Sequence, residues 1–228
     1  MSNEAEVIFE AKNIDKAFLY PEKVQLLEKV SLYVKRGESV SITGPSGSGK
    51  STLLSILGTL DKADSGSLFL FGKPLLKRAY SKTRNTHIGF IYQNHHLLDE
   101  YTVMENLLIK AQIGRKRISR KSDSYSLALS LLEGMNLLHR KDFTTKLLSG
   151  GEKARVSIAR AFMNDPEIIL ADEPTGNLDY EAALLVQDLL LETCRDLNKS
   201  LIVVTHDRSF AQRCDRNYSL NDGHFEQL

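Results

Sequence analysis

One stretch constrains this chain more than any other: Gly44-Pro45-Ser46-Gly47-Ser48-Gly49-Lys50-Ser51. It fits G-x-x-x-x-G-K-[ST], the P-loop that cradles phosphates. Ser39-Val40-Ser41-Ile42-Thr43 before it is short and β-prone; Thr52-Leu53-Leu54-Ser55-Ile56-Leu57 after it is apolar and helix-compatible. A strand, a glycine loop and a helix in that order predict backbone N–H groups that curl inward. The helix N-terminus adds free donors and partial positive charge. In that geometry Lys50 reaches the β- and γ-phosphates of a nucleoside triphosphate, and the Ser51 hydroxyl ligates Mg²⁺. A glycine turn that merely caps a helix is the competing reading, and the match at every defined position weighs against it.

At 228 residues and 42% hydrophobic content, the chain can bury a full core, as one large α/β domain or a domain with a sub-lobe. A net charge of +1 gives no global pull toward nucleic acid or acidic lipid. Cys194 and Cys214 make neither a disulfide framework nor a metal-binding spacing, and read as reduced thiols. The acidic run Met1–Glu6 lacks the basic-then-apolar order of a signal peptide. No run approaches the roughly 18–20 apolar residues of a membrane span. A membrane role then requires a partner.

In chain order, Val7 to Lys35 reads as strands with turns between them, and Val30–Val34 alternates as a half-buried strand does. Phe18 and Tyr20 are expected in the loop before that run, where an aromatic either stacks on a nucleotide base or simply packs. Asp64-Ser65-Gly66 reads as a turn, Ser67–Gly72 and His87–Tyr92 as strands. Thr102-Val103-Met104-Glu105 is a capping box opening a helix, and Ser126–Met135 carries leucines at helical spacing. Between them, Arg115–Lys121 reads first as a solvated loop, with contact to anionic lipid headgroups as the second reading. Glu152–Met163 and Ala182–Leu197 read as helices, Glu167–Ala171 and Leu201–Thr205 as buried strands. Asp222-Gly223 closes a terminal hairpin.

Two further signals carry chemistry. Asp172-Glu173 ends a core strand, where Asp172 can hold Mg²⁺ and Glu173 can deprotonate a water for in-line attack on the γ-phosphate. An acidic turn before Pro174 is the alternative. Leu148-Ser149-Gly150-Gly151-Glu152 is a second capping box, which needs no ligand. The same hydroxyl, glycine N–H groups and helix N-terminus also make a second phosphate cradle. One chain needs two cradles for one γ-phosphate only if the second serves a nucleotide held by another copy.

With these elements in place, the chain resembles an ABC transporter nucleotide-binding domain over nearly its whole length. The P-loop, Gln93, Leu148–Glu152, Asp172-Glu173, Asn177-Leu178-Asp179 and His206 follow the family order. The resemblance implies an α/β fold: a RecA-like, mainly parallel P-loop NTPase core with an N-terminal antiparallel β-subdomain and an inserted helical subdomain. The expected division is 1–92 and 149–228 for the core, 93–148 for the helical part. It implies a head-to-tail homodimer around two ATP and Mg²⁺. Each ATP lies between Gly44–Thr52 of one chain and Ser149, Gly150 and Gly151 of the other. Carried over residue by residue, Glu173, His206, Gln93 and Lys50 are catalytic, while Ser51, Gln93 and Asp172 hold the metal. Asp179 lies across the dimer seam, and Phe18 is the base-stacking aromatic.

Within the family, Gly58–Asp61, Phe90–Leu98 and Ala171–Asp179 are similar to the lipoprotein-releasing (LolD-type) ATPases of Gram-negative inner membranes. Macrolide-exporter and cell-division ATPases share the last stretch, and a macrolide or peptide exporter ATPase, or a cell-division ATPase acting as an ATP-dependent switch, is the alternative function. The likeness implies a peripheral subunit on the cytoplasmic face of the inner membrane, docking integral-membrane subunits near Gln93–Tyr101 and binding no nucleic acid. Three positions depart from the pattern: Lys153-Ala154 where two glutamines are usual, Asp99 where proline is, and Leu147 without the usual upstream proline.

Overall fold

The computed structural model describes residues 6–18 and 24–228; Tyr20 lies outside the described residues. β1 (Val7–Phe18) and β2 (Val24–Lys35) form a long antiparallel hairpin, and β3 (Ser39–Thr43) leads into α1 (Lys50–Leu57). β4 (Ser65–Leu70) and β5 (Lys73–Pro74) follow, then α2 (Tyr80–Thr86) and β6 (Ile88–Tyr92). α3 (Val103–Ile113), α4 (Asp123–Gly134) and α5 (Gly150–Phe162) come next. The chain closes with β7 (Ile168–Asp172), α6 (Tyr180–Asp196), β8 (Ser200–Val204), α7 (Arg208–Ala211), β9 (Arg216–Asn221) and β10 (His224–Gln227).

These strands make two sheets. The antiparallel one runs β2-β1-β4-β5, and the other runs β10-β9-β3-β8-β7-β6 with every pair parallel except the final hairpin. The apolar runs of β7 and β8 explain why the second sheet is covered on both faces. Ile168 and Leu170, with Ile202 and Val204, pack toward α1 and the antiparallel sheet. Ile169 and Ala171, with Leu201 and Val203, pack toward α3, α4, α5 and α6. Period-two alternation between two buried faces requires an unbroken apolar run. The helices of 93–148 therefore share one apolar cluster with α5 and α6. Thr102 bridges Thr144, tying the start of α3 to the approach to α5.

Several expectations shift. Phe18 is the last residue of β1, not a loop residue, because it pairs with Val24 across the hairpin. Ser65 and Gly66 belong to β4, paired with β1. The helix expected from Ser126 begins at Asp123, where the Ser122 side chain caps the Tyr125 N–H. α6 begins at Tyr180, capped by Asp179. α2 gave no apolar period to read; it is held by buried Thr83 and by Arg84, whose Nη1 donates to the Thr59 carbonyl at 2.5 Å.

Candidate functional site

The strand-to-helix turn after β3 needs glycine at two places. Gly49 sits at φ 97° as the residue before α1, and a Cβ on it would meet Leu26 Cγ at 2.7 Å. A Cβ on Gly44 would meet the Leu220 carbonyl at 2.2 Å, so strand β9 seals the loop from behind. Lys50 is buried, and its Nζ donates to the carbonyls of Gly44 (3.0 Å) and Pro45 (2.8 Å). That folds the ammonium over the loop at whose centre phosphate oxygens would replace these carbonyls. The Ser48 hydroxyl is buried with no hydrogen-bond partner among the described residues, an orphan polar group inside an anion cradle.

Across from the loop, β7 delivers Asp172. Ser51 Oγ donates to Asp172 Oδ1 at 2.9 Å, so the two expected metal ligands touch. Burial pushes the Asp172 carboxyl above the usual range, the Ser51 hydroxyl opposes that, and neighbouring Glu173 adds to it. Hard oxygen donors at a half-buried carboxylate suit a small divalent cation. Glu173 follows at φ 44°, and its N–H donates to the Val204 carbonyl at 2.9 Å. That turn places its carboxylate with Oε1 2.9 Å from His206 Nδ1 and Oε2 accepting from Thr205 Oγ1 at 3.3 Å. A cleft of about 390 Å³ gathers Ser46, Gly47, Gly49, Lys50, Ser51 and Thr52 with Gln93, Glu173 and His206.

The signature residues lie elsewhere. Ser149 Oγ accepts from the Glu152 N–H at 3.2 Å, and Glu152 Oε2 from the Ser149 N–H at 2.8 Å, completing the capping box. Ser149, Gly150 and Gly151 share a second cleft with Asn177, Leu178 and Asp179. Asp179 caps its own helix, accepting from the Ala182 N–H at 2.9 Å. Phe18 is 47% exposed at the end of the hairpin where β1 leads into β2 and does not line the P-loop cleft, although its pair Val24 is two residues from Leu26, which covers Gly49.

Two participants, Leu26 and Arg160, escaped sequence reasoning, and Asn177 stood out there only as part of the Asn177–Asp179 motif. Leu26 lines the P-loop cleft from a strand with no motif. Asn177 joins two loops: Gln93 Nε2 donates to its Oδ1 and Gln93 O accepts from its Nδ2, both at 3.3 Å. Arg160 Nη1 and Nη2 donate to the carbonyls of His96 (2.6 Å) and His95 (2.5 Å), two successive residues at positive φ. Two of the departures from the family pattern also meet: Lys153 Nζ lies 3.9 Å from Asp99 Oδ1.

A glycine loop on a parallel strand, a hydroxyl touching a strand-end carboxylate and a second carboxylate held by a histidine define a P-loop nucleotide hydrolase. The ABC transporter family pattern matches residues 27–176, and the chain belongs to that family as an ATP-binding ATPase. It is 46% identical over 223 residues to the lipoprotein-releasing system ATP-binding protein LolD of Protochlamydia amoebophila, covering 98% of each chain. It is 42% identical to the LolD of Francisella tularensis strain FSC 198, over 97% of this chain and 96% of that one. Among solved structures it is similar to the dimeric ABC transporter cassette MJ0796: 36% identity, TM-score 0.84, covering 97% of this chain and 99% of that one. A post-hydrolysis dimer of the same cassette with ADP and Pi matches equally, with the same TM-score of 0.84.

Proposed function

We propose that two copies of this chain close head-to-tail around two ATP molecules and drive a separate membrane-embedded subunit. The cargo is lipoprotein leaving a bacterial inner membrane, with the chain peripheral on the cytoplasmic face. The observation that carries the paired reading is the separation of the two clefts, which share no lining residue. One chain gives the γ-phosphate a single wall; Ser149, Gly150 and Gly151 of a second copy supply the other. The lipoprotein assignment rests on 42–46% identity to relatives of that name over nearly the full chain. Among the described residues, no helix is long and apolar enough to cross a membrane, which suits a role through a partner. That partner docks beside the loop Gln93–Tyr101.

The chemistry follows from charge. ATP brings about four negative charges, and their burial needs the P-loop N–H groups and the Lys50 ammonium, which exchanges the Gly44 and Pro45 carbonyls for phosphate oxygens. Bound Mg²⁺ would neutralise charge on the β- and γ-oxygens, with Ser51, Asp172 and Gln93 as its protein donors. Glu173 orients the attacking water and takes its proton, His206 contacts the γ-phosphate, and Phe18 stacks on the base. Asp179 reaches across the seam. Loss of the γ-phosphate removes what bridges the chains, and the pair opens. The test is turnover per chain on dilution below the pairing constant. A fall proportional to the paired fraction is expected, and a constant rate would overturn the reading.

A further inference from the structure

The basic run Arg115–Lys121 takes no part in the nucleotide site. It is the loop between α3 and α4, and every residue in it is exposed. Five of its seven residues are lysine or arginine in a chain whose net charge is +1, so the rest of the chain is net acidic. Among the described residues, none of the five is in an ion pair. Both ends of the loop are pinned. The Lys116 N–H donates to the Ala111 carbonyl at 3.0 Å, and Ser122 Oγ to the Ser119 carbonyl at 2.6 Å. The charges are therefore held as a cluster. Lys116, Arg117 and Lys121 line a cleft of about 550 Å³ with Ser122 and Ser124 at the start of α4, where Asp123 is the one carboxylate. Ser124 is only 7% exposed, and its hydroxyl makes no hydrogen bond among the described residues. Arg115 also stands in the largest cleft described, about 860 Å³, between α2, α3 and the end of β6. Arg78, Lys82, Arg84, Lys110 and Arg160 make that cleft basic, and His96 joins it to the loop Gln93–Tyr101. The run is thus continuous with the surface beside which the membrane-embedded subunit docks.

We propose that Arg115–Lys121 rests on the anionic headgroups of the bilayer that holds the docked subunit. Lys116, Arg117 and Lys121 gather lipid phosphates at the start of α4, and Ile118, 36% exposed within the run, enters the headgroup layer. The proposal rests on the reading that a membrane subunit docks on this chain, and adds a lipid contact of the chain's own. Each lysine or arginine at an anionic surface strengthens attachment roughly fivefold. An acidic protein segment must match the spacing of its cations, whereas a headgroup layer offers negative charge at any spacing. Five exposed, unpaired cations in one loop suit the layer better. The attraction fades within a Debye length, so it acts once docking has brought the bilayer close, and the two contacts then reinforce one another.

The test is flotation of the full chain on protein-free vesicles. At low ionic strength the chain should rise with vesicles of mixed phosphatidylglycerol and phosphatidylcholine, and not with phosphatidylcholine alone. Added salt should release it. Lys116→Gln, Arg117→Gln, Arg120→Gln and Lys121→Gln together should lower the partition coefficient at least about tenfold, with Tm and basal ATP hydrolysis unchanged. A fluorophore on Ile118→Cys should shift to the blue on the acidic vesicles, and one on Leu197→Cys, past the end of α6, should not; Cys194 and Cys214 are buried away from the label. No flotation on acidic vesicles, equal flotation on both kinds, a fall of less than tenfold, or equal shifts at the two positions would each overturn the proposal. Release by inorganic phosphate at matched ionic strength would mark a free-anion site and overturn it as well. So would capture of detergent-solubilised membrane subunit through the same four residues with no attachment to vesicles. If no membrane subunit co-purifies with the unaltered chain, the docking reading fails by itself, whatever the vesicles show.

Discussion

Replacing Glu173 with glutamine separates chemistry from binding. Glutamine keeps the side-chain length, and its amide can still meet both present partners, accepting from Thr205 Oγ1 and donating to an unprotonated His206 Nδ1. Folding stability should therefore change by less than about 1 kcal/mol. What is lost is the acceptor for the water's proton, which typically costs a factor of about 10² to 10⁴ in rate, or roughly 3–5 kcal/mol of barrier. One negative charge also leaves the neighbourhood of Asp172, whose carboxyl Glu173 pushes upward, so ATP should bind at least as well. Hydrolysis stalls while the bridge between copies persists, and a dimer should accumulate. Phosphate release at saturating ATP, binding of a fluorescent ATP analogue and light scattering after size exclusion read the three quantities. A rate within threefold of the unaltered chain would refute Glu173 as base. Intact ATP binding with only monomer would refute the bridging γ-phosphate.

Thr102→Ala removes the cap that accepts the Glu105 N–H at 3.2 Å. It should cost about 1 kcal/mol, a fall in Tm of about 2–4 °C, with ATP hydrolysis per folded chain unaltered. Burial raises the Glu152 carboxyl, but hydrogen bonds from Ser149 and the Arg140 charge outweigh it, so the group sits below the ordinary glutamate range. Its stabilisation is present above the unfolded value and lost as pH falls through the folded one. Glu152→Gln should therefore flatten the acid limb of a Tm-versus-pH curve below about pH 4.5, and an identical limb would contradict this. Burial pushes the thiols of Cys194 and Cys214 up to about 12. Neither should react with Ellman's reagent at pH 8 until denaturant is added.

Motifs in one contiguous stretch were legible because their geometry is local. The P-loop needs a strand, glycines and a helix N-terminus in immediate succession, and both capping boxes need only residues three apart. The buried strands β7 and β8 showed themselves as unbroken apolar runs, since both their faces meet a core. What stayed hidden depends on contacts between distant segments. Tyr80–Thr86 has no apolar stripe, and its helix exists because Thr83 is buried and Arg84 reaches back to Thr59. The basic cleft is assembled from cations at 78–84, 110, 115 and 160, of which Arg115 alone belongs to a run that stands out in the sequence. Arg115–Lys121 was the visible basic run, yet only Arg115 of it faces that cleft.

α5 ties these surfaces together. Ser149 caps its first turn, and Arg160 lies eleven residues further on, about 16 Å along a straight helix. Ala154, Val156, Ile158 and Ala159 between them are buried in the apolar cluster, so the helix cannot bend without opening the core. A push at either end is thus carried as a rigid-body displacement. The end that would grip another copy's γ-phosphate and the end that lines the basic cleft belong to one body. The loop carrying Gln93 is fastened to that body by Arg160 and to the Asn177–Asp179 loop by Asn177. A ligand that moved one end of α5 would therefore move the other, and two ligands that each favoured the same displacement would act on one another with equal and reciprocal free energy.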